Sequence, residues 1–308
     1  MTNPRTRALI TGGSGFVGAY LQRELERLGT EVFSTSLSPS QSQVGTGTVS
    51  LDVRNAEDVS RTVRELAPDE IYHLAGVTRP GSGQVSDFFG VNLNGTLNIL
   101  EAASAVGASV LVVSSAYVYG AHTGALTEMT PLVPVNHYGS SKAAADLAAI
   151  PYALSGQQVV RVRPFNHVGP GQSPDFLLPT LVQQLGQIEA GRREPIIKLG
   201  NLGSVRDFTD VRDIVRAYPP LLRQGRSGDV YNLASGRGVS VGELAKRVMG
   251  QARVPVTLET EEARIRATDI AELVGDASKA SAAIGWEPEI PLETTLGDML
   301  AFERSRYA

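Results

Sequence analysis

No cysteine occurs among the 308 residues. That single absence excludes a disulfide framework, a zinc–thiolate site, an iron–sulfur cluster and a cysteine nucleophile. An excess of positive charge is also missing. With 28 Lys and Arg against 32 Asp and Glu the formal net charge is −4, so no basic field is available to capture nucleic acid through its phosphates. No stretch approaches the roughly 20 apolar residues of a membrane helix. The start runs from Arg7 into Thr11-Gly12-Gly13 too quickly for a signal-peptide core, and the expected location is the cytoplasm. Internal repeats, charge blocks and low-complexity linkers are lacking too. Glycine, by contrast, is abundant at 32 residues, about one in ten against a usual ~7%.

Short apolar, β-branched runs at 8–10, 31–35, 48–51, 70–73, 109–113 and 158–162 alternate with helical stretches at 15–28, 56–66, 92–106 and 138–154. This alternation predicts an α/β fold, a doubly wound parallel Rossmann-type sheet with helices on both faces. After Pro164 the alternation loosens. Gly169-Pro170-Gly171 and Pro174 punctuate a loop before a helix expected at 176–190. The boundaries are therefore a dinucleotide-binding domain at 1–165 and a smaller, interleaved C-terminal domain at 166–308. Strand-like runs at 204–208 and 229–233 are expected to rejoin the first sheet. Ser240 and Glu243 have capping-box spacing at the start of another helix.

Thr11-Gly12-Gly13-Ser14-Gly15-Phe16-Val17-Gly18 joins the first strand to the first helix. Gly12 permits a tight turn, Gly15 lets the backbone approach a pyrophosphate, and Gly18 lets the helix pack closely on the strand. The helix N-terminus adds free N–H groups and a positive dipole end. A bare glycine pattern also occurs in ligand-free turns; the strand–turn–helix setting is what points to phosphate. Ser34-Thr35-Ser36 at the end of the second strand offers neither the carboxylate that favours a ribose 2′-hydroxyl nor an arginine for a 2′-phosphate. With no carboxylate to repel the phosphate, the expected cofactor is NADPH in preference to NADH.

The Gly-x-x-Gly-x-x-Gly spacing resembles the extended branch of the short-chain dehydrogenase/reductase superfamily. By that resemblance Phe16, Val17 and Ser36 join the glycines around the cofactor, Asp52 and Val53 contact adenine, and Leu74-Ala75-Gly76 after His73 lines the cofactor. The same resemblance reads Tyr138-Gly139-Ser140-Ser141-Lys142, with Ser115 before Tyr119-Gly120, as a Ser–Tyr–Lys triad. The chemistry fits these residue types. Hydride reduction of a ketone builds negative charge on the carbonyl oxygen, which Ser115 polarises and Tyr138 protonates. A free tyrosine titrates near ~10, and the Lys142 ammonium with an oxidised nicotinamide is expected to lower that value. Tyr138 and Lys142 are also expected to contact the cofactor, Lys142 at the nicotinamide ribose.

In the second half, Arg163-Pro164-Phe165-Asn166-His167, Ile196-Ile197-Lys198-Leu199-Gly200 and Val205-Arg206-Asp207-Phe208-Thr209-Asp210 resemble the GDP-4-keto-6-deoxy-mannose reductases. That resemblance implies a GDP-sugar substrate contacted by Ser115, Asn166, Lys198, Arg206, Arg266 and Asp269, with Arg206 and Arg266 on the diphosphate. His167 reads as a structural histidine bonded within its loop. The sister dehydratases carry a glutamate where this chain has Tyr117, which disfavours elimination of water. A nucleotide-sugar 4-epimerase with tightly held NAD, and a non-catalytic dinucleotide-sensing regulator, stay open as alternatives. The family also implies a homodimer, built as a four-helix bundle from the helices at 92–106 and 138–154.

Overall fold

A parallel strand buried on both faces needs apolar residues at consecutive positions, and β1 (Arg7–Thr11) has them in Ala8, Leu9 and Ile10, all fully buried. Leu9 packs into one core, while Ala8 and Ile10 pack into another on the opposite face. The computed structural model describes residues 6–37, 47–78, 84–261 and 270–307. After β1 the chain forms α1 (Phe16–Arg27), β2 (Glu31–Ser36), β3 (Thr48–Ser50), α2 (Ala56–Leu66), β4 (Glu70–His73), α3 (Val85–Phe89), α4 (Gly95–Val106), β5 (Ser109–Val113), α5 (His137–Ala148), α6 (Ile150–Leu154) and β6 (Val159–Pro164).

Two of the expected helices are interrupted. The stretch at 92–106 begins with a π-helical turn at Gly90–Asn94 that leaves Asn92 fully buried. The stretch at 138–154 divides at Ala149, just before Pro151, whose ring removes a backbone donor. Capping sets the other ends. Asn55 accepts from the backbone N–H of Glu57 and Asp58 at the start of α2 (3.1 and 3.2 Å), and Asn136 accepts from Gly139 N–H at the start of α5 (2.8 Å).

The second half runs β7 (Asn166–Val168), α7 (Leu177–Glu189), β8 (Ile196–Leu199), β9 (Val205–Asp210), α8 (Val211–Gln224), β10 (Val230–Leu233), β11 (Gly238–Ser240), α9 (Val241–Met249), β12 (Thr257–Thr260), β13 (Glu272–Leu273), α10 (Ser278–Ile284) and α11 (Leu292–Ser305). The main sheet is Rossmann-like, ordered β10-β6-β5-β4-β1-β2-β3 and parallel throughout. Its order reverses between β1 and β4, which opens a crevice at the carboxyl ends of the strands.

The run at 229–233 joins this sheet as β10. The run at 204–208 does not: it becomes β9, flanked by β11 and β13 and paired also with β7 in a separate sheet. The reason is that β10 occupies the free edge of β6, while the chain leaving Pro164 turns out into β7 and offers β9 a different partner. The capping box at Ser240 is half formed. Ser240 accepts from Glu243 N–H (3.1 Å), but the Glu243 carboxylate pairs with Arg247. Among the described residues no helix is long and apolar enough to cross a membrane.

Candidate active site

The crevice widens into a cleft of about 1090 Å³ between the two sheets, large enough for more than one small ligand. At one end the turn from β1 to α1 forms a cradle. Gly12 sits at φ +71°, and a side chain there would lie 2.9 Å from the Ala75 Cα; at Gly18 a Cβ would lie 2.6 Å from the Gly12 and Gly13 carbonyls. Only glycine fits either place. Gly15 caps α1 without a side-chain hydrogen bond, so the helix keeps free N–H groups and its positive dipole end for an anion. Gly15, Phe16, Val17, Ser36, Asp52, Val53, Leu74, Ala75 and Gly76 line the same wall. Asp52 is gripped by both Nε and Nη2 of Arg54 (3.0 and 2.6 Å), and that hydrogen-bonded partner holds its carboxyl below the usual range despite partial burial.

A neutral histidine supports this wall from beneath. The Thr96 hydroxyl donates to the Asn92 carbonyl (2.6 Å), so it accepts from His73 Nε2 (3.0 Å). His73 Nδ1 therefore accepts from the Thr11 hydroxyl (2.7 Å), which in turn accepts from Ala75 N–H (3.3 Å). Burial, and then the Lys142 charge, lower His73 to about 3, consistent with this neutral tautomer. Asn92 secures the next stretch, accepting from Val77 N–H (2.8 Å) and donating to the Val77 carbonyl (3.1 Å) and the Ser141 hydroxyl (2.9 Å).

Tyr138, Lys142 and Ser115 converge on the middle of the cleft, all three buried. Lys142 follows Tyr138 by one turn of α5, and Ser115 ends the strand-to-turn segment beyond β5. Burial pushes Tyr138 up to about 12; the Ser115 hydroxyl pulls the other way, and Tyr117 adds to the rise. Lys142 is not among the groups that set this value; the lowering was expected from Lys142 together with an oxidised nicotinamide. Lys142 instead donates to the Val113 carbonyl, and burial brings its own value down to about 8, with Asp146 one turn further along α5 acting against the drop. Tyr138 consequently holds its proton, the state a proton donor requires. Tyr117 packs edge-on against the Tyr138 ring, centroids 5.7 Å apart.

On the opposite wall stand Asn166 and Arg206. Arg206 is buried, and among the described residues its guanidinium meets only the Val205 carbonyl (2.8 Å) and no carboxylate. An uncompensated buried cation facing a cleft is costly unless an anion joins it. Lys198 is not brought to the cleft. Period-2 alternation sends Ile197 and Leu199 into the core and leaves Lys198 in register with Glu259 of β12 on the other face of the strand. Arg266 and Asp269 lie outside the described residues. His167, expected in a loop, lies in β7, where its Nδ1 bonds the Phe165 carbonyl (3.0 Å).

Three further groups at or behind the site escaped the sequence reading. Asn92 was detectable, as a polar residue on the face of the 92–106 stretch that also carries Thr96, Ile99 and Ala103. Asp146 was detectable as well, two turns beyond Tyr138. It holds Arg161 (2.6 Å) and Arg163 (2.8 Å), which alternate with Val160 and Val162 along β6. Tyr218 had no such signal: α8 itself was not among the expected helices, and Pro219-Pro220 within it argue against a helix there.

The sequence profile of the GDP-mannose 4,6-dehydratase family matches residues 9–299. The chain is 32% identical to the GDP-6-deoxy-D-mannose reductase of Pseudomonas aeruginosa, across 97% of this chain and 98% of that protein. It is 31% identical to the GDP-6-deoxy-D-talose 4-dehydrogenase of Aggregatibacter actinomycetemcomitans, across 91% of each. Among solved structures, RMD from Pseudomonas aeruginosa complexed with NADPH superposes with a TM-score of 0.86 at 30% identity, covering 98% of this chain and 99% of that one.

Proposed function

The chain belongs to the GDP-mannose 4,6-dehydratase family, an NAD(P)-dependent group of sugar-nucleotide enzymes, and from that premise we propose that it acts as a reductase. Its reaction is reduction of the C4 ketone of GDP-4-keto-6-deoxy-D-mannose to GDP-D-rhamnose, with NADPH preferred over NADH. The observation that carries this reading is the surroundings of Tyr138. The side chains that act on its phenol are Ser115 and Tyr117, and among the described residues no carboxylate joins them as the second acid or base that elimination of water demands.

The glycine cradle and the uncapped N-terminus of α1 fit the phosphates of a dinucleotide, which supplies the hydride when bound. The protein's own part is orientation and proton transfer. Ser115 donates to the substrate carbonyl oxygen, Tyr138 delivers the proton to that oxygen, and Lys142 keeps a positive charge beside them. Arg206 meets the diphosphate with forked donors. The absence of an acidic side chain at the end of β2, where Ser36 lines the cleft, supports NADPH.

Supplying the keto sugar with NADPH or NADH is expected to consume reduced cofactor one for one with product, followed by absorbance and by NMR of the sugar ring. No consumption with either cofactor defeats the proposal. Turnover by a preparation that retains NAD and needs no added reductant identifies an epimerase instead. Arg206→Met is expected to raise KM for the nucleotide sugar by about 10–100-fold with little change in kcat, the loss of charge-assisted hydrogen bonds away from the reacting carbonyl. Self-association through α4 and α5 belongs to the same reading, since Leu147 on α5 is half exposed. Light scattering is expected to give twice the chain's 32.7 kDa; the monomer mass rejects it.

A further inference from the structure

Tyr218 lies on α8 and is fully buried in the core that α8 shares with α1 and the main sheet. Two other tyrosines of that core place their hydroxyls with care. Tyr72 donates to Glu70 (2.8 Å), and the Tyr231 hydroxyl accepts from Arg226 N–H (3.0 Å). The Tyr218 hydroxyl has no hydrogen-bond partner among the described residues. A buried phenol left unbonded is destabilising, and phenylalanine would fill the same space without that cost. Tyr218 also lines the floor of the cleft, together with Gly12, Phe16, Pro164 and Tyr138. The residue is therefore at the boundary between core and cleft, with its hydroxyl closed off from water in the cofactor-free protein and left for a bound molecule to complete.

The identity of that molecule follows from position. A proton donor and a hydride donor must flank one carbonyl, so whatever approaches Tyr138 is at the nicotinamide end of the cleft. Tyr218 is at that end: α8 packs over β5 and β6, and Tyr218 shares the cleft lining with Tyr138, whose charge adds to the rise that burial gives the Tyr218 phenol. Asp52 and Val53, expected at the adenine, follow β3, at the edge of the main sheet away from β5 and β6, over which α8 packs. We propose that Tyr218 is a cofactor-binding residue whose hydroxyl donates a hydrogen bond to an acceptor oxygen on the nicotinamide riboside half of the dinucleotide. The unpartnered hydroxyl is retained because binding, not folding, satisfies it. This inference rests on the nicotinamide-cofactor part of the proposed function and is independent of which sugar is reduced.

The test is Tyr218→Phe in the full chain, stripped of dinucleotide and titrated calorimetrically with NADPH, NADH and ADP, alongside thermal melts. The variant is expected to bind both dinucleotides about three- to tenfold more weakly, the effect of one lost hydrogen bond. ADP, which carries only the adenine half, is expected to bind as it does to the parent. The cofactor-free melting temperature is expected to stay level or rise, because the oxygen removed had no partner. Unchanged dinucleotide affinity, an equal loss for ADP, or a melting temperature lowered by several degrees overturns the assignment. If the parent binds neither dinucleotide, the cofactor reading falls with it. If the parent binds dinucleotide but does not reduce the keto sugar, only the substrate reading falls.

Discussion

Tyr138→Phe is expected to lower turnover of the keto sugar by about 10²–10⁴-fold, the usual contribution of a positioned proton donor. Dinucleotide affinity should stay within about twofold, because the substitution removes no charge from the cofactor wall. The size of the effect follows from the surroundings. Among the described residues the groups acting on the Tyr138 phenol are Ser115 and Tyr117, neither a carboxylate nor an imidazole to take over delivery, and Tyr117 is directed edge-on at its ring. The pH profile separates the two members of the helix pair. Lys142, lowered by burial to about 8, loses its ammonium as pH rises through that value, so kcat/KM for reduction falls on the alkaline side. Tyr138, raised by burial to about 12, keeps its proton throughout that range. A profile that stays flat to pH 10 removes Lys142 from the mechanism, and normal turnover by the phenylalanine variant removes Tyr138.

Asp146→Asn is expected to cost about 3–5 kcal/mol of stability, the consequence of leaving buried charges without their counter-ion. Asp146 is completely buried and binds Arg161 through Nη1 (2.6 Å) and Arg163 through Nε (2.8 Å). Arg163 continues to the Tyr119 hydroxyl (3.0 Å), which donates to Asn232 (2.6 Å), so one carboxylate organises both guanidinium groups and the turn between β5 and α5. Burial pushes the Asp146 carboxyl up, but hydrogen bonds and charge from Arg163, then charge from Arg161, bring it below the ordinary value. A depressed carboxylate contributes stability that is fully present above the unfolded value of about 3.9 and is lost as pH falls through the folded one. The deficit of the variant against the parent is therefore largest near neutrality and narrows below about pH 4. Denaturant titrations at pH 7 and at low pH measure it. An equal deficit at both would mean that shape, not charge, holds the cluster.

The first half of the chain was readable because its signals are local. An apolar run of four to six residues followed by a 3.6-period stretch specifies a strand and its covering helix almost regardless of distant context, and the glycines of the β1–α1 turn are required by backbone geometry at the turn itself. The divisions within the helices were less visible. The π-helical turn at Gly90–Asn94 depends on Asn92 finding Val77 and Ser141, partners 15 and 49 residues away.

Sequence alone determined the doubly wound sheet and the glycine turn between β1 and α1, which depend on periodicity and on the absence of a side chain. It pointed to Ser115, Tyr138 and Lys142 only through a family resemblance, since a tyrosine and a lysine one turn apart on a helix carry little by themselves. Tertiary structure alone decided which sheet β9 joins, which of the cations of the second half face the cleft, and which buried hydroxyls have partners. Lys198 and Arg206 look alike in sequence, each a cation inside an apolar strand. One is turned away by the alternation of β8, while the other is turned inward without a carboxylate among the described residues. Tyr138 carries the same distinction in its proton. Its chemical type was legible, but its rise to about 12 comes from burial, opposed by the Ser115 hydroxyl and aided by Tyr117, and burial is set by packing between segments far apart in the chain.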